Sequence, residues 1–166
     1  MAGNQGKGIG LMISLSVAID PNKGIGYKGA LPWHLKDELQ IFKRNTMHKH
    51  IVMGQTTYNG LPGRLKDRYI TVISIDHDYK SDDVEVEYDL IEFLKKHEDD
   101  ETEYIICGGA SIYRQSYPYC RKAYVSFVKK EYEVDTHFDA FDLNDWEIIL
   151  EEDHPDFIYR ELKRKS

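Results

Sequence analysis

Cysteine is scarce in this chain: Cys107 and Cys120 are the only two in 166 residues. They are far apart and lack CxxC spacing, which argues against a disulfide framework or a zinc site and for reduced thiols in a cytoplasmic protein. Long apolar runs are missing as well. Nothing approaches the roughly 18 consecutive apolar residues of a membrane span, so no membrane partner is expected. The opening MAGNQGKGIG lacks the apolar run of a secretory leader. A basic surplus is also absent. Lys and Arg number 22 against 29 Asp and Glu, a net charge of −7, which disfavours nucleic acid as a partner. The glycines of residues 1–10 do not make a phosphate loop, because Gly6-Lys7 is followed by Gly8 instead of Ser or Thr and no strand precedes it. That stretch is read as a flexible extension. No repeat, linker or second domain is read in the rest of the chain, so residues 11–166 are expected to form one domain, and a monomer.

What is present is enough apolar residue for a core, 41 % of the chain, with an uneven charge pattern. Residues 1–75 hold ten basic against four acidic residues, while residues 76–103 hold three against thirteen. The positive first half suits small anions, or is simply a solvated surface. Leu11–Ile19 (LMISLSVAI) reads as a buried strand ahead of an Asp-Pro-Asn turn, and residues 20–32, with three glycines and two prolines, read as a loop. Leu35 to Asn45 reads as a helix, His50–Met53 and Tyr69–Ile75 as strands, and Leu90–Lys96 as a helix. Tyr104–Cys107 is a short strand, Ile112–Tyr117 a helix, and Ala123–Val128 a further strand. WEIILEE and FIYRELKRK at the end alternate like two strands of an antiparallel hairpin. Strands interleaved with short helices imply an α/β fold with a mostly parallel sheet.

The most informative segment is Leu35-Lys36-Asp37-Glu38-Leu39-Gln40-Ile41-Phe42. At about 100° per residue, Leu35, Leu39 and Phe42 share one stripe, and Glu38 falls within it. A carboxylate there is costly unless neutralised or paired, and burial raises its pKa, which suits a proton-handling group or the partner of a cationic ring. If the stripe edge is wet, Glu38 is merely exposed. Trp33, just upstream in Ala30-Leu31-Pro32-Trp33-His34, is either a core residue or a neighbour of that acid. Two further segments place glycine between a strand and hydroxyl or helical residues: Met53-Gly54-Gln55-Thr56-Thr57 and Cys107-Gly108-Gly109-Ala110-Ser111-Ile112-Tyr113. Such turns offer free backbone N–H groups to a phosphate, and two of them suit the two phosphates of a dinucleotide; each is otherwise only a tight turn.

Together, LSVAID, GIGYKGALPWHLKDELQIFKRNT, IVMGQTTY, LKDRYITVIS, YIICGGASIY, AYVSF and DTHF resemble dihydrofolate reductase in order and spacing over residues 11–166. The resemblance implies a single domain with an eight-stranded, mostly parallel sheet, an antiparallel C-terminal strand and four flanking helices. It implies reduction of 7,8-dihydrofolate to tetrahydrofolate by NADPH, in support of one-carbon metabolism, and a target for antifolates. Glu38 matches the family acid that grips the pterin and favours protonation at N5, through water near Trp33. Leu31 falls in the mobile loop, and Ser126 replaces a threonine that hydrogen-bonds the acid. Ser16, Val17 and Cys107 are expected to line the pterin pocket, Leu39, Phe42 and Leu61 to hold the benzoyl ring, and Arg68 to bind the glutamate α-carboxylate. Ala18, Ile25 and Gly26 are expected beside the nicotinamide. Gly54, Gln55, Thr56 and Thr57, Ser74 and Ile75, and Gly108, Gly109, Ala110, Ser111, Ile112 and Tyr113 would hold the rest of the cofactor. Gln55, Ile75 and Ser111 stand where the family commonly offers donors to the adenosine 2′-phosphate, so NADH is expected to serve with a weaker disadvantage than usual. The alternatives are a pteridine or pyrimidine reductase of the same fold, or a catalytically silent dinucleotide-binding protein.

Overall fold

The computed structural model describes residues 13–63 and 65–165. The extension expected over residues 1–10, and the first two residues of the strand expected from Leu11, lie outside the described residues. The elements in chain order are β1 (Ile13–Ile19), β2 (Gly24–Gly26), α1 (Lys36–Thr46), β3 (His50–Gly54), α2 (Gln55–Asn59), β4 (Tyr69–Ile73) and β5 (Glu85–Glu87). They continue with α3 (Leu90–His97), β6 (Tyr104–Ile106), α4 (Ala110–Ser116), β7 (Lys122–Val128), β8 (Thr136–His137), β9 (Trp146–Asp153) and β10 (Phe157–Arg164).

Eight strands form one sheet in the order β5-β4-β3-β6-β1-β7-β10-β9. All run parallel except β10, which pairs antiparallel with both β7 and β9. This is the α/β architecture the sequence implies, with four α-helices among the described residues. Alternation along β1 sorts its side chains: Ile13, Leu15, Val17 and Ile19 enter one core with Phe93, Leu94, Tyr113, Phe138 and Trp146. Ala18 enters the other core, with Trp33, Ile41, Met53, Tyr124 and Tyr159. The period-two rule also puts Ser126 of β7 on that second face, between Tyr124 and Val128. Helix α1 covers it. Its acidic first turn (Asp37, Glu38) and basic last turn (Lys43, Arg44) complement the helix dipole.

Some elements differ from expectation for local reasons. The glycine-rich loop holds β2, which pairs with β8 more than a hundred residues later; three residues cannot display a period. Gln55–Asn59 winds into a helix too short to display one either. The strand from Tyr69 ends at Ile73, because the Ser74 hydroxyl accepts from the Asp76 N–H at 3.0 Å and turns the chain. Leaving that turn, Ile75 is 95 % exposed.

Candidate active site

Helix α1 delivers Glu38 into the second core, where only 8 % of the residue remains exposed. The Ser126 hydroxyl donates to Glu38 Oε2 at 3.2 Å. Among the described residues it is the carboxylate's only hydrogen-bond donor, and no cation pairs with it. Burial pushes the Glu38 pKa upward, and the serine hydrogen bond opposes this in part. Ala18, opposite Ser126 in the β1–β7 ladder, brings the β1 backbone alongside. Trp33 completes this corner: it is buried, packs edge-on against Tyr132 at 5.3 Å, and its indole Nε1 has no protein acceptor.

The stripe on α1 is centred differently from expectation. Glu38, Ile41 and Thr46 are its buried residues. Leu39 is 40 % exposed and Phe42 half-buried, at the open edge of the face and not within it. Leu61 packs against the same core. Arg68 lies at the far end of α1, held by Nε donating to Thr46 Oγ1 at 3.1 Å and by a bond to the Lys66 carbonyl. No carboxylate among the described residues pairs with it, so its outer guanidinium edge is available to an anion. Cys107 is half-buried just beyond β6, with burial pushing its thiol up to about 12 and the Arg68 charge opposing this, so it is no nucleophile. The Ser16 carbonyl accepts from the buried Tyr113 hydroxyl at 2.6 Å. Val17 points into the opposite core, leaving only its backbone toward the Glu38 side.

A second corner is built where β3 and β6 end. Gly54 N–H donates to the Gly108 carbonyl at 2.9 Å, and the Gly108–Gly109 peptide is cis. A Cβ on Gly109 would stand 3.0 Å from Thr57 Oγ1, and one on Gly54 3.1 Å from Ile112. The two turns are therefore as close as glycine permits, and they leave backbone N–H groups at the starts of α2 and α4 beside Thr56, Thr57, Ala110 and Ser111. This cradle fits the pyrophosphate of a dinucleotide. Ile25 and Gly26 lie in β2, with Ile25 packed into the core that holds Tyr113. Ser74 joins the cradle to the end of β4 by donating to Gln55 Oε1 at 2.6 Å. Leu31 is 49 % exposed in the loop before Trp33.

Three residues that hold the site together escape a reading of the sequence. The buried Asp20 carboxylate accepts from the Asn22 and Gly24 N–H groups, both at 2.8 Å, and from Tyr132 N–H at 3.3 Å. Asp135 Oδ2 accepts from Lys28 N–H at 2.9 Å. Tyr132 is the ring against Trp33. The Asp-Pro-Asn turn is the one available signal, and only for Asp20. The other two depend on a contact between loops a hundred residues apart.

Comparison with known proteins gives the chain a family and a fold neighbour. Residues 12–160 match the family model described as dihydrofolate reductase. The chain is 33 % identical to a dihydrofolate reductase of Bacillus subtilis over 141 residues, covering 85 % of this chain and 83 % of the relative. It is 36 % identical over 116 residues to one from Mycoplasma genitalium, covering 67 % and 72 %. A solved structure of the Enterococcus faecalis dihydrofolate reductase complexed with NADP(H) and RAB-propyl superposes with a TM-score of 0.83 at 28 % identity, over 95 % of this chain and 98 % of that one.

Proposed function

The chain belongs to the dihydrofolate reductase family, and on that premise we propose how its residues carry the reaction. It reduces 7,8-dihydrofolate to 5,6,7,8-tetrahydrofolate with NADPH. The observation that carries the mechanism is the buried Glu38 carboxylate, with Ser126 as its one donor among the described residues and a raised pKa. A carboxylate so short of partners can accept from the 2-amino and N3 edge of a pterin, and its negative charge favours a proton arriving at N5. NADPH, when bound, supplies the hydride that reduces C6. Trp33 Nε1, without a protein acceptor, would hold a water between the indole and the acid. Ser16, Val17 and Cys107 would wall the pterin through backbone groups, and Leu39, Phe42 and Leu61 would cover the benzoyl ring. Arg68 would take the glutamate α-carboxylate. The Gly54–Thr57 and Gly108–Tyr113 segments would hold the dinucleotide, with Ala18, Ile25 and Gly26 beside its nicotinamide. The loop bearing Leu31 would close over both ligands. No bond to the protein forms, so positioning and electrostatics supply the rate.

We place the enzyme in the cytoplasm as a monomer that binds neither nucleic acid nor membrane. This rests on two unpaired cysteines and the acidic balance; no helix among the described residues is long and apolar enough to cross a membrane. The decisive assay follows NADPH oxidation with dihydrofolate and with a pterin lacking the glutamate tail. Arg68→Leu should raise KM for dihydrofolate about ten- to a hundredfold, the scale of one charge-assisted pair, and leave the short pterin unaffected. Equal use of both substrates by the unmodified enzyme would favour a pteridine reductase. Binding without turnover would favour a silent binding protein.

A further inference from the structure

The order of strand ends fixes where each part of a dinucleotide must lie. The acid stands at β1 and β7, the paired glycines at β6 and β3, and β4 comes next. A cofactor with its reactive ring beside Glu38 and its pyrophosphate on the glycines would therefore lay its adenosine ribose over the end of β4. Given the reductase reading above, we propose that the turn at Ser74–Asp76 makes this enzyme a weak discriminator between NADPH and NADH, with Asp76 as the residue that opposes a 2′-phosphate.

The donors at this end have largely been used. The Ser74 proton goes to Gln55 Oε1 at 2.6 Å, and its oxygen already accepts from Asp76 N–H. Gln55 keeps its amide N–H groups, and Ser111 keeps its hydroxyl proton while accepting from Gln115 at 2.9 Å. Both are neutral. Ile75 follows with its apolar side chain 95 % exposed. Asp76 is next, exposed, with Oδ1 accepting from Asp78 N–H at 2.9 Å, and Asp78 adds a second exposed carboxylate.

The cations nearby are engaged elsewhere or lie farther along. The His77 ring stacks on Tyr88 at 4.8 Å. Arg114 touches Ser111 Oγ at 3.5 Å but lines a cavity with His137, Phe138 and Asp139, toward β8 and not β4. Lys80 is exposed beyond Tyr79, whose carbonyl is tied by the Tyr88 hydroxyl.

A neutral hydrogen bond is worth about two- to tenfold in affinity, and one to a charged donor about ten- to a hundredfold. Two neutral donors set against a carboxylate leave NADPH only modestly ahead. A free ribose 2′-hydroxyl, in contrast, finds an acceptor in Asp76, the arrangement acidic residues give NAD-binding sites.

Calorimetric titration of the full chain with NADPH, NADH, 2′,5′-ADP and 5′-ADP at one salt concentration reads this without turnover. NADPH should bind no more than about a hundredfold more tightly than NADH, and the two ADP probes should show the same narrow gap. Ile75→Arg should tighten NADPH by about tenfold or more, and Asp76→Asn by several-fold, with NADH unchanged in the first and slightly weakened in the second. A wider gap in the unmodified enzyme would overturn the proposal, as would variants that shift both dinucleotides equally or neither. Failure of every dinucleotide to bind would instead count against the reductase reading itself.

Discussion

Ionised Glu38 works against the fold that holds it. Its folded pKa lies above the ordinary value of 4.5, because burial disfavours the charged form. The stability this group lends is therefore full below the ordinary value and is lost as pH rises through the raised one. Glu38→Gln stays neutral throughout. It should melt at or above the parent temperature at pH 7, and the difference should vanish below about pH 4, near the ordinary carboxylate range. Turnover at neutral pH should fall about a hundredfold or more, the scale of lost acid–base assistance. The deficit should narrow in acid, where substrate arrives already protonated. Thermal melts and kcat at several pH values check both halves; a variant that melts lower at pH 7 would mean the carboxylate has a favourable partner. A carboxylate on an apolar helical face is legible in sequence, and Glu38 is such a case. Its partner is not legible, because Ser126 meets it only through the pairing of β7 with β1 and the seating of α1 across them.

Between elements, the segment of residues 20–28 is tied at several points to the one around β8. Asp20 reaches Tyr132, Lys23 and Gly26 carbonyls accept from Phe138 and Asp135 N–H, and Asp135 caps the Lys28 N–H. A Cβ on Gly24 would stand 2.7 Å from Val134, so the two segments touch where glycine alone fits. Asp135→Ala removes one of these ties. Amide exchange over residues 26–31 should quicken by roughly tenfold, the equivalent of one lost hydrogen bond, and kcat should fall a few-fold while α1 stays protected. Unchanged exchange would mean that Asp20 and the β2–β8 ladder hold the loop by themselves. Neither β2 nor β8 is legible: three and two residues carry no period, and their pairing spans a distance that local patterns cannot report. Longer elements fare better. α1 and β7 fall within one or two residues of the expected bounds, because each displays a full period of apolar residues.

Across the whole molecule, the α/β class follows from strands alternating with short helices. The strand order does not, since β1 sits between β6 and β7 and the register is written in contacts among distant residues. The placement of β10 carries a consequence for how the enzyme is made. A ribosome releases Phe157–Arg164 after every other strand of the sheet, yet this strand lies between β7 and β9 and supplies Phe157, Tyr159 and Leu162, each no more than 1 % exposed. Until it arrives, the outer flank of β7, which carries Ser126, has no neighbour, and Tyr159 is missing opposite that serine. Nascent chains halted before residue 157 should therefore be held as incomplete, protease-sensitive forms that bind neither ligand, whereas chains extended past residue 164 and clear of the exit tunnel should become resistant within one folding time. Limited proteolysis of stalled ribosome complexes would show this step, and ligand protection appearing already at residue 156 would place the decisive assembly earlier in translation.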